Sequence, residues 1–177
     1  LLEAASSQFY LAMASWSEVS GLNGTSEFFY RQSDEERMHM LKLVRYINER
    51  GGTAIIPATN QPKSDYKDII QVFQAFLKHE INVTVKINDL VGICLDERDY
   101  TTQNFMQWYV SEQIEEEATA RGIIDKLNLI GNDFPQNLSN TCTHMKHNVP
   151  GVCSGLWHQF VSFVQMLFVV VRGVRVL

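Results

Sequence analysis

Apolar residues recur at three- and four-residue steps along four long stretches of the chain, the spacing of helices that turn one face to a core. The first predicted helix covers residues 1–18, rich in Ala, Leu and Met, and Gly21, Asn23 and Gly24 supply a turn after it. The second covers 26–50, with Phe29, Met38, Leu41, Val44 and Ile47 on its apolar stripe, and Gly51 and Gly52 end it. Residues 53–65 contain Pro57 and Pro62 and show no periodicity. Extended at ~3.3 Å per residue, that segment would span about 30 to 40 Å, the length of a bundle, and would set the helices on either side parallel. The third helix covers 66–95, with Ser64 as its N-cap and Phe73, Phe76, Leu77, Val83, Ile87 and Leu90 facing inward. After a short polar connection at 96–100, the fourth covers 101–129 and stops at Gly131 and Asn132. The expected fold is all-α: an up-down four-helix bundle with one long crossover between helices two and three.

Composition narrows the setting. The chain has 177 residues and is 45% hydrophobic, which suits one domain with a sizeable core. Its formal net charge is -5, and no basic stripe is available to pair with phosphates, so no nucleic-acid partner is expected. Cys94, Cys142 and Cys153 form an odd set without a CxxC motif. They point to a reducing, cytoplasmic compartment with a buried Cys94 rather than to a disulfide framework. The chain opens in a helical pattern without an initiator Met or a basic leader, and is read as truncated at its N-terminus. The bundle is assigned to 1–132 and an atypical apolar tail to 133–177, whose charged residues after Asp133 are Lys146, Arg172 and Arg175. Leu156 to Val171 falls short of the about 20 apolar residues of a membrane span. Three readings stand for the tail: a fifth helix at a subunit junction, a weak membrane anchor, or sequence foreign to the domain, the last being preferred.

The chemistry lies in acids on faces that should be core. Glu36 and His39 form an i, i+3 pair that can converge on one metal. Glu80 falls among the apolar positions of helix three, whereas its neighbour His79 is expected to be exposed. Glu3 lies on helix one, and Tyr10, two turns on, either bonds a ligand carboxylate or is an ordinary core tyrosine. On helix four, Gln113 and Glu116 form a second i, i+3 pair, with Glu112 and Glu115 as another on the adjacent face. One glutamate on each of two helices with an i, i+3 pair on each of the other two is the layout of di-iron carboxylate bundles. Several ionised carboxylates in a core would repel one another and lose hydration unless cations sat among them. Oxygen ligands with one imidazole and no thiolate suit iron, manganese or zinc.

With these residues the chain resembles the non-haem bacterial ferritins over residues 1 to about 132. The motifs that carry the resemblance are Glu35-Glu36-Arg37-Met38-His39-Met40, Lys86-Ile87-Asn88 after Glu80, and the run from Gln107 to Glu117. The resemblance implies a di-iron ferroxidase centre, with Glu3, Glu36 and His39 at one iron. Glu36 would bridge to a second iron held by Glu80 and Glu116, with Gln113 and Tyr10 close by. It also implies a third iron site at Glu35, Glu112, Glu115 and Glu116. The partners implied are Fe(II) and O2 or peroxide, together with 23 further copies of the chain in a 24-subunit cytoplasmic shell that stores ferric mineral. A haem-containing relative would carry Met where Arg37 stands and a second Glu-x-x-His on helix four, so no haem is expected, and Met38 is read as core. The competing reading is another di-iron oxidoreductase such as a rubrerythrin-like peroxidase, which would usually add a CxxC iron site. A bundle with charged faces and no metal would leave Fe(II) oxidation indifferent to Glu36, His39 or Glu80.

Overall fold

A computed structural model of the chain describes residues 2–130. The readings of the 133–177 tail, of Cys142 and Cys153, and of the Gly131–Asn132 helix stop lie outside the described residues. Four helices make up the fold: α1 (Leu2–Val19), α2 (Asn23–Glu49), α3 (Ile69–Asp96) and α4 (Tyr100–Ile130). Helix α1 packs along α2 and α3 along α4, with α1 also touching α3. Residues 50–68 form the long link between the two hairpins and carry no helix or strand. The expected fold class is the one observed. Among the described residues, no helix is long and apolar enough to cross a membrane.

Local chemistry explains the helix ends. Gly21 takes φ 75°, a left-handed conformation that costs glycine little, while the Leu22 N–H bonds back to the Ser17 carbonyl at 2.8 Å. The chain re-enters a helix at once, so Asn23 and Gly24 belong to α2 and not to the turn, and α2 starts three residues before the expected Ser26. Gly51, at φ 84°, closes α2. The N-cap of α3 is Asp68 and not Ser64: its backbone is extended and its carboxylate accepts the Gln71 N–H at 2.8 Å. The expected start at Tyr66 shifts because that ring is buried edge-on against Trp16 before the helix begins.

The core has two apolar layers. One is aromatic, built from Tyr10, Phe28, Phe29, Phe73 and Phe76, with ring centroids 5.0 to 6.4 Å apart in tilted or edge-to-face pairs. The other gathers Val83, Ile87, Met106 and Tyr109, with Leu2 and Leu43 packed against it. Cys94 is buried, as expected. Three positions of the apolar stripes face solvent instead: Met38 is 60% exposed, Ile47 42% and Leu90 46%. They lie at the edge of stripes whose centre is taken by other residues, because a helix in a four-membered bundle buries only part of its circumference.

Candidate di-metal centre

Between the two apolar layers lies a third, and it is made of acids. Along α2 the order is Phe28 and Phe29, then Glu36 and His39, then Leu43. Along α3 it is Phe73 and Phe76, then Glu80, then Val83 and Ile87. Along α4, Met106 and Tyr109 precede Gln113 and Glu116, and Ala120 and Leu127 follow. Helix α1 brings Leu2, Glu3 and then Tyr10. Each helix therefore delivers its polar residues at the same level of the bundle. All six are buried, from Glu80 at 0% exposure to Glu116 at 8%.

The side chains of Glu3, Glu36 and His39 bring one ligating atom each within 4.8 Å of one another. Glu36 Oε2 is buried without a hydrogen-bond partner, with His39 Nδ1 3.6 Å away. Glu80 is held from two sides: the Tyr10 hydroxyl donates to Oε1, and Gln113 Nε2 donates to Oε2 at 3.0 Å. Glu116 Oε1 accepts from Gln32 Nε2 at 3.3 Å. Tyr109 donates to the His39 carbonyl at 2.9 Å, which pins the backbone that carries the imidazole.

A second convergence shares a residue with the first. Glu35, His39 and Glu112 also place ligating atoms within 4.8 Å of one another, and Glu35 and Glu112 are only half-buried. Glu115 is exposed and stands outside both groups. Arg37 is exposed beside them.

Electrostatics follow from burial without compensating charge. Burial pushes the Glu3 carboxyl up to about 9, and its hydrogen bond and repulsion with Glu36 push the same way. Glu116 is pushed up to about 9, first by burial and then by Glu80, Glu36, Glu35 and Glu112. Burial raises Glu80 to about 7 against the opposing bond from Gln113. Glu36 also rises through burial, opposed by the bond from Glu3 and helped by Glu35 and Glu112. Without cations, the layer is uncomfortable as anions and holds protons instead. An orphaned carboxylate oxygen, an adjacent imidazole and four oxygen-rich side chains fit hard or borderline divalent cations, which would displace those protons.

Some residues at this level escaped sequence reasoning. Gln32, buried one turn before Glu36, donates to both Glu35 and Glu116; its place on the Phe28–Phe29–Glu36 face was the available signal. His79 is half-buried rather than exposed: Nε2 lies 2.8 Å from Ser6 Oγ, and its ring packs on Phe9 and Tyr10. Burial lowers its pKa to about 4. Nothing on helix three alone could reveal a partner supplied by α1.

Comparison with known proteins gives a consistent picture. Residues 2–130 match the family described as Ferritin-like domain. The chain is 45% identical over 132 residues to a probable bacterial non-heme ferritin-like protein of Haemophilus influenzae, covering 75% of this chain and 80% of that one. It is 43% identical over 122 residues to the bacterial non-heme ferritin of Campylobacter jejuni, covering 69% and 73% respectively. Among solved structures, an open-pore ferritin from the archaeon Archaeoglobus fulgidus superposes with a TM-score of 0.73 at 43% identity, covering 74% of this chain and 81% of that one.

Proposed function

The chain belongs to the ferritin family, and from that premise we propose that it oxidises Fe(II) at the buried acidic layer and stores the ferric product inside a shell of its own copies. The observation that carries this reading is the buried meeting of Glu3, Glu36 and His39, with Glu80 and Glu116 buried at the same level and electrostatically coupled to them, and Glu36 Oε2 left unpartnered. Iron here is substrate and cargo. Glu3, Glu36 and His39 hold one Fe(II); Glu36, Glu80 and Glu116 hold the other. Gln113 and Tyr10 fix the Glu80 carboxylate between them. As the cations enter, the carboxyl protons leave, which exchanges a protonated acid layer for a charge-balanced one. Two Fe(II) ions each give one electron to the same O2 or peroxide, so reduction of the oxidant is a two-electron event.

Half-buried Glu35 and Glu112 with buried His39, flanked by Glu116 on the buried side and by exposed Glu115, form a third iron position between this layer and the surface. The shell of 24 subunits and a cytoplasmic location complete the proposal, and the family supports them.

The test is aerobic Fe(II) addition followed by ferric absorbance. The wild-type chain oxidises Fe(II) rapidly. Glu36→Ala and His39→Ala lower the rate by more than about 100-fold, beyond the loss typical of outer partners of a metal site. Equal rates in all three proteins overturn the proposal. Size-exclusion chromatography tests the shell separately: a species of one or two subunits overturns that part.

A further inference from the structure

A groove of about 310 Å³ opens between α3 and α4, walled by Thr84, Asn88, Gln113, Glu117 and Arg121 together with aliphatic side chains. At about 30 Å³ per molecule of liquid water, it has room for several small molecules. Its polar walls are linked in a chain that leads inward. Arg121 donates to Glu117 Oε2, and Glu117 Oε1 accepts the Thr84 hydroxyl at 2.6 Å. Thr84 Oγ1 lies 3.4 Å from Gln113 Nε2, and that same nitrogen donates to Glu80 Oε2 at 3.0 Å. Gln113 thus lines the groove and touches the buried Glu80 at the same time. The fully buried acid is one side chain away from a surface opening.

The charge on these walls selects what can use the opening. Glu117 is the acid of the groove and is paired with Arg121, so the lining offers amides, a hydroxyl and a cancelled ion pair. It holds no unpaired carboxylate to draw a cation, and the guanidinium opposes one. The acid-rich approach to the same centre is elsewhere, at Glu35 and Glu112. The geometry points to the α3–α4 groove as the port for the uncharged oxidant, a small dioxygen or peroxide molecule, separate from the acidic side that receives Fe(II). This rests on the function proposed above. The redox step balances for either source. Hydrogen peroxide takes one electron from each of two Fe(II) ions and two protons, its O–O bond breaks, and two waters leave. Dioxygen takes the same two electrons and two protons and leaves as hydrogen peroxide.

The experiment blocks the groove from two helices in the full chain, with Ile114→Trp and Asn88→Trp, both exposed lining positions outside the ligand set. Anaerobic Co(II) titration, read from its visible absorption, reports the cation site without turnover. Stopped-flow mixing of Fe(II)-loaded protein with hydrogen peroxide or with dioxygen reports oxidant access. The expected result is unchanged Co(II) stoichiometry and affinity with oxidation slowed by about tenfold or more, within the range over which mutation alters association rates. Slowing with one oxidant alone identifies the molecule that the groove serves and supports the inference. Unchanged oxidation in folded variants overturns it, as does weakened Co(II) binding, which would make the groove a cation path. A wild-type chain that binds Co(II) but oxidises no Fe(II) overturns the proposed function, and this inference falls with it. The substitutions sit on different helices, so a folding failure in one leaves the other to decide.

Discussion

The aromatic layer and the acidic layer are neighbours on the same four helices, yet they hold together for opposite reasons. Tyr10, Phe28, Phe29, Phe73 and Phe76 gain stability by leaving water and meeting edge to face. One turn or two away, Glu3, Glu36, Glu80 and Glu116 lose hydration and gain little in return until a cation arrives. The contrast teaches that the bundle does not need its acids to fold. The apolar layers on either side hold the backbone, and the acids are carried at a cost that those layers absorb. A site of this kind is preorganised because its neighbours, not its own contacts, fix its geometry.

Four measurements can break or sharpen that contrast. The largest effect is expected in the aromatic layer: Phe76→Ala should lower unfolding free energy by about 3–5 kcal/mol in urea titration, as large aromatic truncations do in cores. A smaller loss would mean that the layer is less essential than its burial implies. Next comes pH. The folded-state pKa values of Glu3 and Glu116, about 9, and of Glu80, about 7, lie above the unfolded value of 4.5. Their contribution is therefore complete below pH 4.5 and is lost as pH rises through 7 to 9. Between pH 5 and 7 the metal-free chain should lose stability at up to about 1.4 kcal/mol per pH unit for each such group. Saturating Co(II) should abolish that slope, and a flat metal-free profile would contradict it. Third, Glu116→Gln should stabilise the metal-free chain at pH 7 by on the order of 2 kcal/mol while weakening Co(II) binding, since an amide has no proton to retain. Destabilisation would show that Glu116 is structural. The smallest effect is expected at the boundary with the second apolar layer, where Tyr109→Phe removes one buried hydrogen bond to the His39 carbonyl. A loss of about 1 kcal/mol is expected, with a modest drop in Fe(II) oxidation if that bond positions the imidazole.

The sequence made the helices and the acidic layer visible by the same device. A stripe at helical spacing names a face, and Glu36, Glu80 and Glu116 interrupt apolar stripes at one level of each helix. What stayed hidden depended on other helices. Helix three gives no reason to bury His79; Ser6 and Phe9 of α1 do. Met38 continues an apolar repeat yet faces water, because the repeat is wider than the surface that α2 buries. Ser64 offered a capping hydroxyl, but burial of Tyr66 delayed the helix until Asp68 could cap it. The groove between α3 and α4 could not be read from one helix, since its walls come from two.

The division of the proposed ligands between the hairpins carries a mechanical consequence. Glu3, Glu36 and His39 arrive on α1 and α2, whereas Glu80, Gln113 and Glu116 arrive on α3 and α4. The covalent tie between the two pairs is the largely exposed link of residues 50–68. Ions held there as proposed would act as rivets through the seam, so a subunit nicked in that link would keep its halves together best when loaded.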